Sequence, residues 1–78
     1  MTLRSVQCRM ARAALGWSVR DLASEAKVAI DTVARFERGD ELKERTIDAI
    51  RSALEIGGVE FIDENGGGAG VRLRKPSR

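Results

Sequence analysis

The stretch "SVRDLASEAKVAIDTVARFERGD", residues 18–40, limits the fold more than any other part of the chain. Two apolar-periodic segments lie almost end to end, with little more than Lys27 and Val28 between them. Leu22, Ala23 and Ala26 make a narrow stripe on the first, and their small size admits a close neighbour. Ser18 and Asp21 form an S-x-x-D capping box that marks where this segment starts. The second segment runs from about Ala29 to Glu37, buries Val33 and Phe36, and stops at Gly39. Helices this short are not stable alone, so the core they share decides the fold.

The flanking chain supplies that core. Residues 4–15 are helix-compatible, with Val6, Met10, Ala13 and Ala14 spaced by three and four, and Gly16 ends the run. Trp17 reads as a plug between helices rather than a stacking platform. A further helix near 43–56 places Ile47, Ile50 and Leu54 on one face and ends at Gly57-Gly58. The period then changes. Residues 59–62 and 71–74 read as short strands, separated by Asp63-Glu64-Asn65 and a glycine cluster. No Gly-Lys-Ser/Thr follows that cluster, so it reads as a flexible hairpin loop and not as a phosphate cradle. The expected fold is mainly α, a compact four-helix bundle with a short C-terminal β-hairpin. Its expected division is a helical unit over 1–56 and a tail over 57–78 holding the glycine-rich loop 66–70.

Several functions are excluded by what the chain lacks. It has no histidine, so the usual general base and the commonest metal ligand are missing. Its single cysteine, Cys8, cannot pair internally and reads as a small buried core residue. The first residues lack the apolar core of a signal peptide, and no segment is long enough to span a membrane. The expectation is a soluble, cytoplasmic, non-enzymatic domain without metal, cofactor or small-molecule ligand. Charge is informative only by segment. The net value of +2 divides into +3 over residues 1–39, −5 over 40–70 and +4 over 71–78. Such a division is either ordinary solvated charge or one face built for a polyanion.

Two short helices joined by a tight turn make a helix-turn-helix, which offers its second helix to the DNA major groove. From about Gln7 to Leu54, "RMARAALGWSVRDLA", "KVAIDTVARFERG" and "TIDAIRSALE" resemble the Cro/C1-type, or Xre-type, regulators. Leu-Gly-Trp-Ser, Leu22-Ala23 and Phe36-Glu37-Arg38-Gly39 fall at that family's spacing, and "GVEFIDENGGGAGVRLRK" resembles an extension on its small bacterial members. The resemblance implies a lambda repressor-like DNA-binding fold and a transcriptional regulator, a repressor or autoregulator. It also implies a homodimer on a palindromic operator, with double-stranded DNA as partner. It further implies a structural bridge between Arg12 and Glu37 that fixes the angle of the reading helix.

Carried over residue by residue, the base-reading positions hold Ile30 and Asp31, with Thr32 beside them. Isoleucine can touch a thymine methyl, and aspartate can accept from cytosine N4. Arg35 lies four residues after Asp31, so the two can pair and aim the guanidinium at guanine; an ordinary surface ion pair is the other reading. Val19 stands where the family often has a phosphate-binding glutamine, and Ala29 is a poor N-cap. Arg20, Lys27, Arg38, Lys43 and Arg45 are the expected phosphate contacts, with Asp40 and Glu41 close enough to weaken their field.

The tail carries an expectation about assembly. An isolated hairpin is marginal in water, so Val59, Phe61, Val71 and Leu73 need a surface to bury against. With the helical bundle read as nearly complete, a second copy supplies it, and these four residues become the dimer interface. Glu60 and Glu64 then face Arg72 and Arg74 across the strands. The alternative function is a protein-interaction module on the same scaffold, antiactivator or antitoxin-like, which the acidic stretch 40–64 favours.

Overall fold

A computed structural model describes residues 3–74. Four helices are followed by two strands: α1 Ser5–Leu15, α2 Val19–Ala26, α3 Ile30–Glu37, α4 Glu44–Gly57, β1 Val59–Ile62 and β2 Gly70–Leu73. The strands pair antiparallel, with Val59 opposite Leu73 and Phe61 opposite Val71. Lys75 and Arg78, counted above in the basic C-terminal run, lie outside the described residues.

Local chemistry sets the boundaries. Ser18 Oγ accepts from Asp21 N at 3.0 Å, and Asp21 Oδ2 accepts from Ser18 N at 2.9 Å, so two of the first free amides of α2 are satisfied reciprocally. The turn into α3 is made by Lys27 in the left-handed region, at φ 59°. Gly16 and Gly58 close α1 and α4 in the same region, where glycine carries no Cβ penalty.

Leu22, Val33, Phe36, Ile50 and Leu54 are buried together, so α2, α3 and α4 meet as their periodicity predicts. Helix α1 does not. Val6 and Met10 are 43% and 38% exposed, and Ala13 and Ala14 are exposed as well. Its buried residues are Gln7, Cys8 and Ala11, a stripe turned by one residue from the apolar one. The reason is polar. Gln7, 1% exposed, accepts from Arg4 N at 3.0 Å and donates to Ile62 O at 3.3 Å and Gly70 O at 3.1 Å. One glutamine thus ties the start of α1 to both strands, and no apolar side chain could do the same.

The hairpin is therefore covered by its own chain. Val59 is 1% exposed and belongs to the core, with Phe61 and Val71 packed half-buried against it. This corrects one expectation: Val59 belongs to the core that the helices share and is not available to a second copy. Across the strands Glu60 does meet Arg72, at 2.7 Å, but Glu64 pairs with Arg4 at 3.0 Å and Arg74 donates to Glu55 O.

Trp17 packs half-buried against the core, over the end of α4. A Cβ on Gly57 would lie 2.8 Å from its Cη2, so this contact needs a glycine.

Candidate nucleic-acid interface

Helix α3 turns Val33, Phe36 and Glu37 inward. At 100° per residue, the face opposite that stripe carries Asp31, Arg35 and Arg38, and all three are exposed. Ile30 is exposed in the first turn, and Thr32 is half-buried on the flank. Ala29 begins the helix with no side-chain cap bond, as its lack of an acceptor requires.

What holds α3 in place is a cluster around Glu37. Arg12 grips the carboxylate with two parallel bonds, Nε to Oε2 at 2.7 Å and Nη2 to Oε1 at 2.8 Å. The remaining nitrogen, Nη1, donates to Trp17 O at 3.1 Å, so the same guanidinium also fixes the turn before α2. Cys8 Sγ donates to Glu37 Oε2 at 3.2 Å, and Arg9 donates to the Glu37 carbonyl at 3.2 Å. Three residues of α1 thereby anchor the last turn of α3.

The electrostatics follow from that geometry. Burial alone would raise Glu37, but the bonds from Arg12 and Cys8 outweigh it and hold the carboxyl below its ordinary range. Arg12 is pushed up by its bond to Glu37, against the opposing effect of burial. Burial, then the hydrogen bond to Glu37, pushes the Cys8 thiol far up, which makes it inert as a nucleophile.

The expected Asp31–Arg35 pairing is not formed. Arg35 Nε faces Asp40 Oδ2 at 3.6 Å, and Arg38 Nη2 lies 3.9 Å from the same oxygen. Gly39, at φ 98°, reverses the chain after the helix, and Asp40 N donates to Arg35 O at 3.0 Å. The reversal brings the carboxylate of Asp40 back beside the helix, where a residue on the next turn has no such backbone tether. Sequence spacing carried no sign of it, because a turn, not a helical repeat, makes the contact.

Arg20 lies in the first turn of α2, Lys27 at the turn into α3, Lys43 at the N-cap of α4 and Arg45 in its first turn. With Arg38 they are all exposed and available to phosphates. Val19 is half-buried against the core and takes no part. Among the described residues no group of acidic, cysteine or histidine side chains could hold a metal, and no helix is long and apolar enough to cross a membrane.

A helix-turn-helix family model matches residues 9–61, which is most of α1, the other three helices and part of β1. The chain belongs to the Cro/C1-type helix-turn-helix family. As a member it is a DNA-binding regulator in kind, and Arg12, Glu37 and the whole of α3 fall inside the match. The match also runs through Val59, consistent with that residue's place in the helical core. A search of curated proteins found no match.

Spacing gives no sign of the contacts of Cys8 and Arg9 with Glu37; it places Asp40 near Arg38 but not against Arg35. These contacts join elements far apart in sequence or across a turn, where periodicity has nothing to say.

Proposed function

We propose that this protein is a sequence-specific transcriptional regulator, a repressor or autoregulator, that binds a palindromic operator as a homodimer. The observation that carries the reading is the outward face of α3. Asp31 and Arg35 are exposed one turn apart, on a helix whose opposite face is anchored through Glu37. In this reading Arg35 reads a base edge, Ile30, Asp31 and Thr32 contact neighbouring pairs, and Arg20, Lys27, Arg38, Lys43 and Arg45 meet phosphates. A base-reading arginine has to arrive already oriented, and an anchored helix supplies that.

The dimer contact is proposed at the hairpin, through the 53% exposed Leu73 and the outward parts of Phe61 and Val71. In the two-stranded sheet each strand has one edge that the other strand does not pair. Two copies related by a two-fold axis place their reading helices about 34 Å apart, one turn of DNA.

Selection of bound duplexes from random DNA tests the reading. The expected product is an inverted repeat with half-sites about ten base pairs apart. On it Arg35→Ala loses roughly 1–3 kcal/mol while keeping its melting temperature. Failure to enrich any sequence overturns the proposal. Sedimentation of Leu73→Asp tests the interface separately: unchanged self-association removes the hairpin from it.

A further inference from the structure

Arg35 comes nearest to Asp40 through Nε, 3.6 Å from Oδ2, an ion-pair distance rather than a hydrogen bond. Its terminal nitrogens, Nη1 and Nη2, are the pair that matches guanine O6 and N7. The backbone of Asp40 is fixed, since its amide is bonded to Arg35 O and Gly39 sets the turn. The guanidinium therefore lies beside a carboxylate whose backbone is tethered to its own, and Arg38 shares that carboxylate at 3.9 Å. We propose that Asp40 is a specificity-determining positioning residue, which orients Arg35 for a base edge and withholds it from phosphates. This rests on the reading of α3 as the base-reading helix.

Two consequences differ in sign. On cognate DNA the carboxylate supports Arg35, because the Nε contact and a bidentate guanine contact are compatible. On any other DNA the same carboxylate opposes binding. It occupies a cation that would otherwise reach a phosphate, and its charge repels the backbone. A long exposed arginine free of such a tether adopts many rotamers and finds phosphates on every sequence. Asp40 thus lowers general affinity while it raises the affinity for one sequence.

The test is Asp40→Asn in the full chain, measured on the duplex that wild-type protein selects from random DNA and on a scrambled duplex of equal composition. Affinity for the selected duplex is expected to fall about three- to tenfold, as one oriented base contact is loosened. Affinity for the scrambled duplex is expected to rise by a similar factor, with the salt slope steeper by about 0.9 for one extra phosphate contact. In an Arg35→Ala background the loss on the selected duplex should vanish, and the rise on the scrambled duplex should shrink to what Arg38 and the removed charge contribute. A rise on both duplexes means that Asp40 only repels DNA, and a fall on both means that it only supports the fold; either overturns the inference. So does a loss on the selected duplex that persists without Arg35. Wild-type protein that selects no sequence overturns the reading beneath it, a result distinct from all of these.

Discussion

Replacing Arg12 by Met would remove the cation from the Glu37 cluster and leave a carboxylate that is only 8% exposed. Both oxygens of that carboxylate are gripped in the native protein, at 2.7 and 2.8 Å. Breaking a buried pair from one side typically costs ~3–5 kcal/mol, because the surviving charge keeps its desolvation penalty. Arg12→Met should sit at that end. Glu37→Gln should be milder, since Arg12 is 21% exposed and its freed nitrogens can turn to water. The double variant should be milder than Arg12→Met alone. In a chain this small each kcal/mol moves Tm by about 4–8 °C, so thermal melts resolve all three. The pH dependence separates the charge from the packing. In wild-type protein Glu37 lies below its unfolded value of about 4.3, so its stabilisation is complete above that pH. It is lost as pH falls through the depressed folded value. Without Arg12, burial still raises Glu37 while only Cys8 and Arg9 remain to lower it, so the depression of its carboxyl shrinks. The variant should then gain less stability than wild type as pH rises through the carboxylate range, a flatter slope. Three variants that melt like wild type, or equal slopes in wild type and Arg12→Met, would refute the reasoning.

Gln7→Met keeps the volume and removes all three hydrogen bonds to the backbone; it should cost about 1–2 kcal/mol. Hydrogen exchange should quicken in the hairpin and not in α2 or α3, and uniform quickening would contradict a local clamp. Lys27→Gly relieves a left-handed lysine and should gain about 0.5–1 kcal/mol after glycine's unfolded-state entropy is counted. If Lys27 also meets a phosphate, the same variant should flatten the salt slope of DNA binding by about 0.9. Gly57→Ala drives a methyl into Trp17 and should cost about 1–3 kcal/mol and shift the tryptophan fluorescence. An unchanged melt would mean that the ring moves aside freely.

The parts of the fold legible in the sequence are those where one local signal suffices. The Ser18–Asp21 box starts α2, the Val33–Phe36 stripe orients α3, and glycines end α1 and α4. Helix α1 forms over the expected residues and ends at Gly16, but its buried face is not the apolar one, because periodicity weighs Val6 and Met10 above Gln7. The opposite weighting is physically correct once two strand carbonyls need a donor at that place. That same glutamine changes what the tail means. A strand pair with no surface of its own demands a second copy, whereas a pair clamped to α1 and α4 already has its surface. Val59 is then core, and residues 1–56 alone would lack a wall of the bundle. The candidate site divides in the same way. The outward residues of α3 follow from helical spacing, so Asp31 and Arg35 could be named in advance. Which acid meets Arg35 could not, because Gly39 decides it through a backbone reversal and a bond from Asp40 N. The helix sets which side chains reach outward, and the turn after it sets how one of them is held. For an arginine the second choice matters as much as the first, since the same cation serves any phosphate when loose and one base edge when held.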